Sequence, residues 1–241
     1  MCGRYVSPDE AAIERAWHVG RISNPLAGRF PARYNVAPQQ GNPAFHVPVI
    51  RVGEQERPGL AMMQWWLLPH WSKSPRIRHS TFNARVETVA AAPSFRVPFR
   101  QRRCLIPACG WYEWQELPGG KQPWYIRAPD GEPVAIAGLW DVWEGKAQII
   151  ESCAMIVGGA NNAVGHFHDR MPFLIAKEHS EAWLDPTLDD PETIMALLKP
   201  AADAAVVCCR VTTLVNNARN DRPQLIQPLD EQDDKRYPSL F

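Results

Sequence analysis

The sequence predicts a single, mostly β domain, and three observations carry that expectation. At 241 residues, 45% of them hydrophobic, the chain is long enough to build one sizeable core. Its 10 Trp and 23 Pro suit strands and turn-rich loops better than a helical bundle. Apolar runs of strand length recur between turn residues, and neither a repeat nor a low-complexity linker marks a domain boundary.

In chain order, Ser7-Pro8-Asp9-Glu10 opens a helix: Ser7 is the expected N-cap, Pro8 suits the first helical position, and Glu10 falls three residues after the cap. This helix should reach His18 and stop at Gly20. Residues 22–40 read as a Pro- and Arg-bearing loop, and residues 45–52 and 59–68 as strands around the polar turn Gly53-Glu54-Gln55-Glu56. A basic loop carrying Trp71 follows at 69–76, and residues 86–92 suit a short helix. Residues 104–115 and 124–127 read as strands, and Asp130-Gly131 turns the chain into another strand at 133–143. A strand at 148–157 should end in Gly158-Gly159-Ala160-Asn161-Asn162. Helices are expected at 178–184 and, from the cap Asp190 with Pro191 at the first position, to Leu198. A closing strand at 204–213 precedes a polar tail from Asn216.

Basic and acidic residues number 26 each, so no global charge points to nucleic acid or to a membrane. The two halves differ: residues 1–127 carry 17 Lys and Arg against 8 Asp and Glu, residues 128–241 carry 9 against 18. That asymmetry makes a basic face if the halves stay apart and cancels if they interleave. Six cysteines without C-x-x-C spacing, and no secretory or membrane-spanning run, predict a reducing cytoplasmic setting with free thiols.

Four features bear on chemistry. Met1-Cys2-Gly3-Arg4 places Cys2 where loss of Met1 makes it the N-terminus. Such a cysteine offers two nucleophiles, with ordinary pKa values of about 8.5 for the thiol and roughly 7.7 to 8.0 for the α-amine. Together they capture an aldehyde, the amine as an imine and the sulfur by closing a five-membered thiazolidine. Glu113, in the aromatic strand Gly110-Trp111-Tyr112-Glu113-Trp114, is either a general acid/base with a raised pKa or a glutamate on the solvent face of a sheet. His166 and His168 share one face if their segment is extended, but no other His or Cys cluster completes a metal site, so no metal and no cofactor are expected. His168 is then either a proton shuttle or a structural histidine. Finally, Arg4, Arg33, Tyr34, Trp71, Lys73, Arg76, Arg78, Arg85, Arg100, Arg102 and Arg103 mix cations with rings. That is the composition of a single-stranded nucleic-acid site, and also of ordinary charged loops.

Read as an ordered set, seven blocks change the weight of these features. They are Met1-Cys2-Gly3-Arg4, Tyr34-Asn35-Val36-Ala37-Pro38, Asn83-Ala84-Arg85-Val86-Glu87-Thr88, Arg103-Cys104-Leu105-Ile106-Pro107-Ala108, Gly110-Trp111-Tyr112-Glu113-Trp114, Ala137-Gly138-Leu139-Trp140 and His168-Asp169-Arg170-Met171-Pro172. In this order the chain resembles the SOS response-associated peptidase (SRAP) family, which processes abasic sites in DNA, from Cys2 to about Pro228.

The resemblance implies one α+β domain over residues 1–241, mainly antiparallel sheet with an open barrel-like core and a few peripheral helices. It implies that Cys2, freed by autoproteolytic removal of Met1, forms a thiazolidine crosslink to the aldehyde of an abasic site in single-stranded DNA. It further implies that Asn83 positions the cysteine and the opened sugar, Glu113 moves protons, and His168 assists ring opening and reversal. Arg4, Arg85 and Arg170 are implied phosphate contacts, Trp71 a base support, and Asn35 and Pro38 further DNA-binding positions. A monomer acting at the nucleoid, with no membrane partner, completes the expectation. Trp66, Cys109 and Ser72 depart from residues common in the family, the first two bearing on packing and the third on stacking. Two readings from other classes compete: a thiol peptidase cleaving proteins in trans, and a non-catalytic single-strand binding module.

Overall fold

The computed structural model describes residues 2–22, 28–53 and 56–229. Glu54 and Gln55 of the expected turn, and Met1 with its expected removal, lie outside the described residues. The chain runs β1 (Tyr5–Ser7), α1 (Glu10–Trp17), β2 (Arg33–Val36), β3 (Val47–Val52), β4 (Pro58–Trp65), β5 (Asn83–Arg85) and α2 (Arg96–Gln101). It continues through β6 (Arg103–Ala108), β7 (Gly110–Leu117), β8 (Gly120–Arg127), β9 (Val134–Glu144), β10 (Ile149–Gly159) and α3 (Asn162–Gly165). Last come β11 (Arg170–Pro172), β12 (Leu174–Ile175), α4 (Ser180–Leu184), α5 (Pro191–Leu197) and β13 (Val207–Arg210).

The α+β class holds, and the barrel closes. Pairing runs β10–β4–β3–β6–β9 and returns from β9 to β10 along Gly138–Glu144 and Ile149–Met155. Closure removes the exposed edges that an open sheet of this length would present. A second sheet, ordered β13-β8-β7-β1-β2, is antiparallel throughout. Alternation along the barrel strands sorts their side chains into two apolar clusters. Ile50, Leu60, Leu105, Ala137 and Ile156 pack with Ile13, Phe99, Trp183 and Ile194 of the helices. Val49, Ala61, Ile106 and Met155 instead join Cys2, Tyr5, Val36, Trp111 and Ile126, so this cluster ties the second sheet and the N-terminus to the barrel.

Several expected elements are corrected. Asp9, not Ser7, caps α1, accepting from the Ala12 N–H at 2.7 Å, because Ser7 is drawn into β1 opposite Arg33. Residues 22–40 include β2, which pairs with β1. Residues 86–92 form turns rather than a helix: the Thr88 N–H bonds the Arg85 carbonyl and the Thr88 carbonyl takes the N–H groups of both Ala91 and Ala92, so no continuous i→i−4 ladder develops. The run 104–115 is two strands in different sheets, separated where the Cys109 N–H donates to the Val6 carbonyl at 2.8 Å. His166 caps the end of α3 in helical conformation, so His166 and His168 do not share an extended face. The closing strand is confined to Val207–Arg210, preceded by a 3-10 turn at Asp203–Ala205, and the tail beyond Asn216 carries a further turn at Pro223–Ile226.

The switch between sheets depends on Gly110. A Cβ there would lie 2.4 Å from the Ile126 carbonyl oxygen and 2.6 Å from the Tyr125 ring. Neither backbone nor a 2% exposed ring has room to yield. Gly110→Ala should therefore lower unfolding stability by about 2 kcal/mol or more in urea titration, whereas Gly119→Ala, with nothing within 4 Å, should cost less despite its φ of 99°.

Candidate active site

The N-terminus reaches the barrel as an extension of β1. Tyr5 pairs with Trp111, and the Tyr112 N–H donates to the Arg4 carbonyl at 3.0 Å, which carries the pairing on towards Gly3 and Glu113. Cys2 is consequently 0% exposed. Burial first, and the nearby Glu113 charge second, push its thiol well above the ordinary value. The thiol is neutral at pH 7, and its reaction needs a partner that takes the proton.

Two strands flanking the end of β10 supply the neighbours. On one edge β5 pairs in parallel, Met155 opposite Asn83, and the Asn83 amide donates to the Cys2 carbonyl at 2.6 Å. Its Oδ1 is buried without a hydrogen-bond partner among the described residues. On the other edge β11 pairs with Gly159 opposite Arg170. The α3 turn, capped by Asn161 and closed by the His168 N–H on the Val164 carbonyl, sets the histidine just before that strand.

Glu113 and His168 meet with Oε2 and Nε2 3.3 Å apart. Glu113 is 1% exposed, and burial pushes its carboxyl up to about 8, with the Asp169 charge adding to the rise. Burial moves His168 the other way, below its ordinary value. At neutral pH the pair is a carboxylic acid beside a neutral imidazole, sharing one proton. His168 Nδ1 lies 2.9 Å from the Arg170 carbonyl and 3.1 Å from the Arg170 N–H. The backbone of one residue thus satisfies either tautomer: Nδ1–H donates to the Arg170 carbonyl when Nε2 accepts from Glu113, and Nδ1 accepts from the Arg170 N–H when Nε2 donates. An imidazole so held can pass a proton without turning.

A cleft of about 850 Å³ opens over the pair, lined by Gly3, Arg4, Glu113, Trp114, His168 and Asn216 among others. Arg4 is held on its wall, donating to Asn35 Oδ1 at 2.7 Å and to the Val215 carbonyl at 2.8 Å, 5.8 Å from the Trp114 ring centre. Asn35 stands behind Arg4, its amide spent on the carbonyls of Val215, Asn217 and Asn220. Pro38 is half-buried in the segment that leaves β2. Arg85 and Trp71 are exposed, and Arg170 is ion-paired to Glu87. Trp114 and Asn216, bonded at 2.7 Å, are cleft residues that the sequence did not single out as a pair; 102 positions separate them, and no local pattern signals the contact.

The charge halves interleave, as the pairs Arg51–Glu151, Arg102–Asp141 and Glu87–Arg170 show. Among the described residues no group of His, Cys, Asp and Glu has the arrangement to hold a metal ion, and no helix is long and apolar enough to cross a membrane.

A family model described as SOS response associated peptidase (SRAP) matches residues 1–218. The chain is 35% identical over 231 residues to the abasic site processing protein YoqW of Bacillus subtilis, covering 94% of this chain and 99% of that protein. It is 29% identical over 265 residues to the abasic site processing protein HMCES of Gallus gallus, covering 95% of this chain and 78% of that one. A solved protein from Bacteroides thetaiotaomicron superposes with a TM-score of 0.77 at 26% identity, over 95% of this chain and all of that one.

A carboxyl raised to about 8 costs stability once the unfolded chain ionises. Between the ordinary glutamate pKa, about 4.3, and about 8, the folded state binds more protons than the unfolded state, so stability falls as pH rises through that window. Glu113→Gln should remove the slope. Against wild type it should gain about 3 to 5 kcal/mol at pH 8 and little at pH 4.5, read by urea unfolding at both pH values.

Proposed function

This chain belongs to the SOS response associated peptidase (SRAP) family, and we propose that it processes abasic sites by capturing their aldehyde on Cys2 in single-stranded DNA. The observation that carries this reading is the contact between buried Glu113 and part-exposed His168, which share one cleft with the backbone next to Cys2. The same reading includes loss of Met1 by self-processing, because the chemistry uses a free α-amine.

An abasic sugar is mostly a cyclic hemiacetal. Opening it takes the C1 hydroxyl proton to a base and returns a proton to the ring oxygen as its bond to C1 breaks. His168 takes the hydroxyl proton and Glu113 gives one to the ring oxygen, after which the proton passes from His168 back to Glu113 across their 3.3 Å contact. The Cys2 amine adds to the aldehyde carbon, and the resulting carbinolamine loses its hydroxyl as water with a proton from Glu113, leaving an iminium. Cys2 Sγ then bonds to the iminium carbon while its proton goes to the carboxylate that Glu113 has become. The sum is aldehyde, amine and thiol giving thiazolidine and one water, with Glu113 restored.

The high thiol pKa suits this order, since the sulfur stays protonated until Glu113 can accept. Asn83 holds the Cys2 carbonyl and offers its buried Oδ1 to the amine or the opened sugar. On the DNA side, exposed Arg85 takes a phosphate directly, and Arg170 does so by exchanging Glu87 for one. Arg4 meets the strand from a fixed pose that Asn35 maintains, Pro38 shapes the segment behind it, and Trp71 supports a base.

The test is incubation with single- and double-stranded abasic oligonucleotides followed by a denaturing gel. Wild type should give a heat-stable covalent band with the single strand, and Cys2→Ala none; an undiminished Cys2→Ala band would sink the reading. A tag that retains residues before Cys2 should block crosslinking. Glu113→Gln should slow it by about 10²- to 10⁴-fold. Because dehydration needs the Glu113 proton, the single-turnover rate should fall as pH rises through about 8, and the variant should lose that limb.

A further inference from the structure

The loop that presents Trp71 is tied to the barrel at alternate residues on either side of the ring. The Leu68 N–H donates to Ser152 Oγ at 2.8 Å. The His70 N–H donates to Asp141 Oδ2 at 2.9 Å, and His70 Nδ1 lies 3.0 Å from the same oxygen. The Ser72 carbonyl accepts from Trp143 Nε1 at 2.7 Å. Asp141 is 0% exposed, and its other oxygen is taken by the Val142 N–H at 2.9 Å and by Arg102. A carboxylate stripped of water is held only by converging donors of this kind, and two of these come from one loop residue. Trp71, between the anchored neighbours, is 52% exposed, with its ring N–H 3.4 Å from the Pro93 carbonyl.

Neither Asp141 nor His70 touches the Cys2 cleft, so the proton chemistry gives them no task. A stacking platform, however, binds a base well only if the ring is ordered before the base arrives, because ordering on binding subtracts from affinity. We propose that Asp141, acting through His70, is a positioning residue for single-stranded DNA: it fixes the 68–72 loop so that Trp71 is pre-set as a base platform. The proposal rests on the reading of Trp71 as a base support. It assigns Asp141 and His70 to DNA affinity and leaves the rate of crosslinking to Cys2, Glu113 and His168.

The experiment measures, for the full chain, the half-saturating concentration of a single-stranded abasic oligonucleotide and the crosslinking rate at saturation. His70→Ala should raise the half-saturating concentration about 5- to 20-fold with an unchanged rate at saturation. His70→Asn, which returns a side-chain N–H to Asp141, should recover to within about 2-fold of wild type. In a Trp71→Ala background, His70→Ala should add nothing further, which a general loss of stability would not produce. His70 is varied rather than Asp141 because removing the buried carboxylate would strand Arg102 and threaten folding. A Trp71→Ala variant that weakens binding while His70→Ala does not, or a His70→Ala penalty that persists in full without Trp71, overturns the positioning role alone. Trp71→Ala with wild-type half-saturation overturns the base-support reading and the positioning role with it.

Discussion

Strand β10 is bonded along its first half to β9 and β4, which closes the barrel, and along its second half to β5 and β11, which carry Asn83 and Arg170. A single rigid strand therefore sets the spacing between the residue that holds the Cys2 carbonyl and the one that orients His168. The β1–β7 pairing brings the third component, since it lays the N-terminus beside Glu113. Ser152, which anchors the Trp71 loop, also lies on β10, opposite Asp141 of β9. Barrel closure and site geometry are thus one hydrogen-bond ladder used twice, which is how short loops come to be placed with the precision of strands.

The arrangement costs stability where it serves chemistry. Glu113 is buried with its carboxyl near 8, and Asn83 Oδ1 is buried without a partner among the described residues. Both are unfavourable in a folded chain and both sit within reach of Cys2. Other buried polar side chains are well supplied, as where Arg103 donates to carbonyls of Phe99, Trp183 and Leu188 and Asn35 donates to three more, although Tyr5 Oη, Trp111 Nε1 and Arg51 Nε are also buried without a hydrogen-bond partner among the described residues. Next to Cys2, Asn83 Oδ1 is an acceptor that the described residues leave unfilled.

Much of this was legible in the residues. The longer strands and α5 follow from apolar runs and from the Asp190-Pro191 cap. The ordered blocks name Cys2, Asn83, Glu113 and His168, which the structure brings together in two bonded pairs. What stayed hidden is non-local. Barrel closure depends on β9 and β10 finding each other's registers, and β1, β2, β11 and β12, at two to four residues, are too short to show a period. The helix cap falls two residues beyond Ser7, at Asp9, because a distant strand recruits Ser7. Asn35 reads as a contact residue in its block, yet its amide is committed to carbonyls 180 and more positions away.

The opposed shifts of Glu113 and His168 bear on why a buried thiol is tolerable at a reactive site. A thiolate beside a carboxylate in an apolar pocket would be a like-charge pair with little water to screen it, and each charge raises the other's pKa. Keeping Glu113 protonated removes that repulsion in the resting protein. In the proposed reaction, once Glu113 has given its proton to a departing hydroxyl, an iminium carries the compensating positive charge beside it. The carboxylate can then accept the thiol proton as sulfur attacks, and neutrality is restored at the end of the step. Charge is separated only while a cation is present to balance it. On the proposed chemistry, the raised carboxyl and the raised thiol serve one physical purpose: to keep the site inert towards ordinary electrophiles and reactive once an aldehyde has become an iminium within it.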